Sequence, residues 1–234
     1  TTQQILKLAA CFGDKFTLDV LCTINAKPPS VTATELWDAL QAGLILPLNE
    51  SYLIPLFLEP EEAVDLTFDS SRVGYKFLHD RVQQAAYSLI PDDAKKSTHL
   101  SIGKLLLENT PADQVANRIF DLVNQLNVGI DCLSLQSEKD ELAGLNLIAG
   151  HKAKAANAYE PALKYLNAGM SLLAPDSWVR NYNLTLRLYV ETLEAEYLNT
   201  NFEQAEILAE VVLRSAQSQL DRVKVYQLKI LFHQ

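Results

Sequence analysis

From residue 92 onward every segment of the chain carries apolar residues at helical spacing, and the breaks between segments are short. The expected helices are 92–108, 111–126, 140–158, 161–173, 177–198, 202–218 and 222–234, broken at 109–111, 127–137, 159–160, 174–176 and 199–201. Breaks of that length suit packed helix hairpins and leave little room for a sheet. With only 8 glycines and 9 prolines in 234 residues, irregular stretches have few places to occur.

Within this half a pattern recurs. Gly150, Ala153, Tyr159, Ala162, Leu166 and Gly169 follow the small-and-aromatic spacing of tetratricopeptide repeats, and Pro175 closes the unit. A second copy, Leu193, Glu196, Phe202, Ala205, Ala209 and Val212, lies 43 residues later, so that Tyr159-Glu160-x-Ala162 aligns with Phe202-Glu203-x-Ala205. The period exceeds the usual ~34, which implies longer helices or a longer join. Small residues there let two helices approach, with the aromatic plugging the gap between hairpins. Ordinary bundle helices are the competing explanation.

The first ninety residues differ. Helices are expected at 2–10, punctuated by Gly13; after Thr17, with Phe16, Val20, Leu21 and Ile24 on one face; and from Thr32 or Thr34 to Gly43. Residues 44–48 and 52–58 read as strands around Asn49-Glu50-Ser51, 59–69 is acidic, and 73–78 reads as a strand returning toward the first. A helix from 80 to 89 ends before Pro91. Three helices with a small β-hairpin form a winged-helix pattern. The expected class is mainly α: a winged-helix domain at 1–91, then an α-solenoid of tetratricopeptide-like hairpins at 92–234, with 92–126 as a connecting or capping pair.

Charge and motif content narrow the chemistry. Net charge is −9, and residues 1–95 hold 7 basic against 13 acidic side chains. The third helix, where a winged helix lays itself into the major groove, has no lysine or arginine between residues 32 and 41. Nucleic acid is therefore not an expected partner. No apolar run reaches the roughly 18 residues of a membrane helix, so no insertion is expected. Three cysteines, Cys11, Cys22 and Cys132, without C-x-x-C spacing suggest reduced thiols in a cytoplasmic protein. Phosphate-binding loops, zinc-binding helices and nucleophile elbows have no matching sequence, so neither catalytic nor metal residues are expected. His99, His151 and His233 read as packing or surface residues. Thr1 follows no methionine or leader, and Gln234 interrupts a periodic segment, which suggests a piece of a longer polypeptide.

His79 stands apart because a strand runs into a helix at His79-Asp80, and helix starts concentrate free N–H donors and partial positive charge. The alternative is structural: Asp80 with Gln83 as a capping box, Val82, Ala85, Ala86 and Leu89 as a core face, and Arg81 and Gln84 solvated.

Three stretches carry a resemblance: Gln4-Ile5-Leu6-Lys7-Leu8-Ala9-Ala10-Cys11-Phe12-Gly13, then Phe77-Leu78-His79-Asp80-Arg81-Val82-Gln83-Gln84-Ala85-Ala86-Tyr87-Ser88-Leu89-Ile90-Pro91, then Phe120-Asp121-Leu122-Val123-Asn124-Gln125-Leu126-Asn127. Together they resemble the ATPase module, one of the signal-transduction ATPases with numerous domains, of large bacterial signalling proteins common in cyanobacteria. Those proteins begin with a serine/threonine kinase domain and end with a GAF sensor and histidine kinase of the two-component type. The resemblance implies that this chain follows the nucleotide-binding core and supplies its winged-helix arm and helical repeats. In related ATPases of plant-resistance and apoptotic type, the histidine of a Met-His-Asp motif contacts the β-phosphate of ADP. Leu78-His79-Asp80 is similar, with leucine in place of methionine, so the resemblance assigns nucleotide-state sensing to His79 and an orienting or capping role to Asp80. Phe77, Arg81, Gln83, Gln84 and Tyr87 belong to the same motif. ATP or ADP and Mg are expected in the parent protein, with no cofactor held by this chain alone. Its expected partner is another protein or an adjoining domain. A plain repeat scaffold, or a transcriptional regulator resembling maltose-regulon activators, are the alternatives.

Overall fold

A computed structural model describes residues 1–57 and 69–232; residues 58–68, 233 and 234 lie outside the described part, which includes most of the acidic stretch, the end of the expected 52–58 strand, and His233. The chain is mainly helical, and its contacts divide it into two compact units: residues 1–115 with 124–132, and residues 116–123 with 133–234.

The first unit opens with α1 (Thr2–Ala10), whose Ile5, Leu6, Ala9 and Ala10 are buried. Strand β1 (Lys15–Thr17) precedes α2 (Leu18–Asn25) and α3 (Pro29–Gln41). The α3 helix starts ahead of Thr32 because Pro29 suits the first turn, where its missing N–H leaves no bond unmade. It ends where expected, at Gly43, whose φ of +67° favours a residue without Cβ. Strand β2 (Ile45–Pro47) follows.

The expected strand at 52–58 is corrected by the structure. Asn49 accepts a hydrogen bond from the Ser51 N–H (3.1 Å), which starts a helical turn at Glu50–Leu53 that continues as α4 (Ile54–Phe57). Pro55, lacking an N–H, suits that turn better than a ladder. As expected from the return of the 73–78 strand toward 44–48, β2 pairs with β3 (Gly74–Phe77), and β3 also pairs with β1, giving a three-stranded antiparallel sheet in the order β1-β3-β2. Phe16 thus belongs to a strand rather than to the face of α2, and its ring packs on Tyr75 and Phe77 at 5.7 and 5.4 Å.

Next come α5 (Asp80–Ser88) and α6 (Asp92–Glu108). Helix α6 packs on α2 within the first unit, so the helical half does not begin a new unit at Pro91. The helix expected at 111–126 is shorter, α7 (Ile119–Val128). Pro111 closes turns with Gln114 and Val115, and Lys152 Nζ captures the carbonyls of Ala116 and Asn117 at 2.8 and 3.1 Å, which fixes that stretch outside a helical ladder.

The second unit contains α8 (Gln136–Ala155), α9 (Tyr159–Ser171), the short α10 (Ser177–Arg180), α11 (Tyr182–Leu198), α12 (Phe202–Ser215) and α13 (Gln219–Phe232). The single helix expected at 177–198 is interrupted at Asn181, whose φ −137°, ψ 55° is not helical. Helices α8 and α9 pack closely, as do α11 and α12. Leu186, Leu193, Tyr197, Leu208, Val212 and Val225 form a shared core.

The 43-residue offset is written into the backbone. Asn157 and Thr200 both adopt positive φ, 59° and 62°. The Ala158 N–H bonds the Ala153 carbonyl (3.0 Å) as the Asn201 N–H bonds that of Glu196 (2.9 Å). Both hairpins therefore turn in the same way. Gly150 is needed at the first: a Cβ there would lie 2.6 Å from Leu166 Cδ2 and 3.3 Å from the Ala162 carbonyl. Ala162 and Ala205 are fully buried and Ala153 nearly so. The aromatic positions differ from expectation. Tyr159 is half-buried and donates to Asn157 Oδ1 (2.9 Å), whereas Phe202 is 48% exposed and so does not plug a gap.

Candidate functional site

Strand β3 delivers the chain to α5 with Phe77 buried, Leu78 41% exposed and His79 at the helix N-cap. His79 is extended (φ −146°, ψ 152°), and its carbonyl accepts the Val82 N–H (2.9 Å), the first bond of the helix. Its imidazole makes no cap bond, so the ring is left at the surface, and Asp80 follows in the first turn, where a carboxylate is favoured by the helix dipole. Among the described residues, the side chains of His79, Asp80 and Arg81 take part in no hydrogen bond or ion pair.

These residues line an open groove of about 670 Å³ together with Asp14, Lys15, Lys76, Phe77, Leu78 and Val82. Lys15 and Lys76 are directly opposite each other in the β1–β3 register. Like charges so placed repel, and neither lysine has a carboxylate partner among the described residues. Three cations and an imidazole thus gather against two carboxylates, in a chain that is acidic as a whole. Sequence reading missed Lys15 and Lys76, since only strand pairing brings residue 15 to residue 76.

The remaining motif residues face two ways. Gln83 donates through Nε2 to the Ala10 carbonyl at the end of α1 (2.8 Å), so the expected capping box of Asp80 and Gln83 does not form. Of the expected core face only Ala86 is buried; Val82 is half-buried, while Ala85 and Leu89 are exposed, because α5 lies against α1 along the line of Gln83, Ala86 and Tyr87. Gln84 and Arg81 are exposed. The Tyr87 hydroxyl meets His99 Nε2 (2.9 Å), and Lys95 Nζ sits 4.8 Å from the centre of its ring. Desolvation pushes the Tyr87 phenol above its ordinary pKa.

His99, 6% exposed, meets Gln125 Oε1 through Nδ1 (2.7 Å), and Gln125 Nε2 donates to the Cys11 carbonyl (3.0 Å). The stretches 4–13, 77–91 and 120–127 therefore converge on one buried set of hydrogen bonds. The Cys11 thiol is pushed up to about 11 by burial, which leaves it protonated and unreactive.

His151 is exposed, 3.3 Å from Glu191. Lys154 also reaches Glu191 (2.7 Å) and Glu194 (2.5 Å), tying α8 to α11. Burial disfavours charge on Lys154, but the two carboxylates outweigh it and raise its pKa. All three cysteines are free. Among the described residues, no three His, Cys, Asp or Glu side chains come together to hold a metal ion, and no helix is long and apolar enough to cross a membrane.

No family profile and no solved structure matches the chain. It is similar to hybrid signal transduction histidine kinase G of Dictyostelium discoideum, 26% identical over an alignment of 276 residues that takes in 98% of this chain. The chain spans only 8% of that protein's length. The likeness is to a stretch of a signal-transduction histidine kinase.

Proposed function

We propose that this chain is a non-catalytic regulatory and protein-interaction region of a multi-domain cytoplasmic signalling protein. Its first unit reads the nucleotide state of an ATPase core elsewhere in the parent chain, and its second presents helical repeats to a partner protein or adjoining domain. The order helix, strand, helix, helix, strand, short helix, strand, with the last strand central, supports a winged-helix reading within residues 1–91. The duplicated turn at 157 and 200 supports tetratricopeptide-like repeats.

The observation that carries the nucleotide reading is the groove. His79 stands free at a helix start beside Lys15, Lys76 and Arg81, a donor set suited to a diphosphate. With no phosphate-binding loop in the sequence, the chain offers one wall only, and the core with its Mg supplies the rest. ADP bound there would hold the arm through His79, with Asp80 orienting it, and exchange for ATP would release it. The acidic, lysine-free α3 argues against DNA as partner.

Calorimetry with ADP on this chain, and on one extended upstream through the expected core, tests the reading. Binding is expected only in the longer chain and is weakened by His79→Ala. Unchanged affinity in the variant removes the switch and leaves a repeat scaffold, a reading favoured by the duplicated turn.

A further inference from the structure

The buried set Tyr87, His99, Gln125 and Cys11 has a direction. The Cys11 carbonyl can only accept, so the Gln125 amide must turn its Nε2 toward it (3.0 Å) and its Oε1 toward His99. That oxygen can only accept, so His99 Nδ1, at 2.7 Å, must carry a proton. A neutral imidazole protonated at Nδ1 has a bare Nε2, which accepts the hydroxyl proton of Tyr87 at 2.9 Å. No carboxylate takes part. From α6, Lys95 lies over the Tyr87 ring and is itself paired with Asp92.

Tyr87 and Gln83 are four residues apart, so they share a face of α5, and both are tied to the chain around the end of α1. Gln83 reaches the Ala10 carbonyl directly, and Tyr87 reaches that of Cys11 through His99 and Gln125. The amino end of the same nine-residue helix carries His79.

We infer that His99 is a positioning residue: as the Nδ1-protonated tautomer it fixes α5 through Tyr87 and so sets the pose of His79 in the groove. The sensing role of His79 in this statement rests on the function proposed above. The relay orients α5 because reversing either inner bond, His99 to Gln125 or Gln125 to Cys11, would leave a buried donor or acceptor unpaired, which leaves the half-buried Tyr87 hydroxyl a single acceptor to meet. Loosening it lets α5 turn about the remaining Gln83 bond.

The test uses the chain labelled with ¹⁵N-histidine, with Tyr87→Phe and, as a control on the same helix, Ser88→Ala, which removes an exposed hydroxyl bonded only to Ala85 within the helix. In the native chain His99 is expected as the Nδ1–H tautomer; the Nε2–H form overturns the relay. In Tyr87→Phe, which keeps the ring, the His79 ring resonances are expected to move. Amide exchange over 83–88 is expected to rise about tenfold relative to α3, with Ser88→Ala moving neither. Equal acceleration in α3 and α5, or an unmoved His79, overturns the positioning role. None of these readouts needs nucleotide: ADP binding that ignores His79→Ala overturns the sensing reading, while the spectra alone decide the relay.

Discussion

Helix α8 contains two glycines, Gly144 and Gly150, that face opposite packing conditions and so provide their own control. A methyl group added at Gly144 meets nothing within 4 Å, whereas one added at Gly150 lies 2.6 Å from Leu166 Cδ2 and 3.3 Å from the Ala162 carbonyl. Leu166 is fully buried, and the carbonyl belongs to the backbone of α9. Replacing glycine by alanine within a helix gains about 1 kcal/mol from propensity. Gly144→Ala therefore stabilises by about 0.5–1 kcal/mol. At Gly150 the same gain is set against overpacking in the upper part of its usual range, about 2–3 kcal/mol, because the added carbon meets Leu166 Cγ at 2.4 Å and a backbone carbonyl, leaving a net loss of roughly 1–2 kcal/mol. At about 2–4 °C per kcal/mol for a chain of this size, the two melting temperatures move in opposite directions by several degrees. Thermal unfolding followed by circular dichroism, with urea titration as a second measure, reads both. If Gly150→Ala raises the melting temperature as Gly144→Ala does, the close approach of α8 and α9 is not what the small residue serves, and the packing argument for the repeat fails.

Thr200 holds φ 62° with a β-branched side chain, and Asn157 holds φ 59° at the matching turn. Thr200→Gly is expected to stabilise by about 1 kcal/mol and Asn157→Gly by much less, since asparagine tolerates that region; equal effects in urea titrations would contradict the strain argument. Hydrogen bonds from Lys27, then Asn25, hold the Glu35 carboxyl at about 2, well below the usual carboxylate range. A depressed carboxyl stabilises above its unfolded pKa, and the contribution fades as pH falls through the folded value. Glu35→Gln should cost about 0.5–1 kcal/mol at pH 7, and the difference from native should shrink between pH 4.5 and 2. A difference that persists at pH 2 would refute it. Lys154→Met leaves Glu191 and Glu194 without their shared cation, at an expected cost of roughly 1–2 kcal/mol that a further Glu191→Gln partly restores, as a double-mutant cycle will measure.

Much of the helical half was legible because helices are local. Apolar spacing placed α6, α8, α9 and α12 within a few residues of their observed bounds, and the repeat offset found the two equivalent turns. Gly43 ended α3 because a positive φ is a property of one residue and its neighbours. His79 was legible as a strand-to-helix junction, and the structure places it at that junction, exposed. Phe16 and residues 52–57 were misread for the converse reason. A three-residue strand has no periodicity of its own, and β1 exists because β3, sixty residues away, offers it a ladder. Tyr52-Leu53-Ile54 has β-prone composition, yet the Asn49 side chain and Pro55 turn it into helix.

What the sequence by itself determined was which of the long segments are helical, where most of them stop, and the 43-residue offset that the turns at Asn157 and Thr200 share. Hydrophobic spacing, caps and turn residues act over a few positions, so one dimension is enough to read them. Only the tertiary structure decided that β3 is the middle strand, that Lys15 faces Lys76 across it, and that Cys11, Tyr87, His99 and Gln125 meet in one buried relay. Those are pairings between distant positions. A buried polar group takes whichever donor or acceptor packing brings within 3 Å, and no local pattern of residues announces which one that will be.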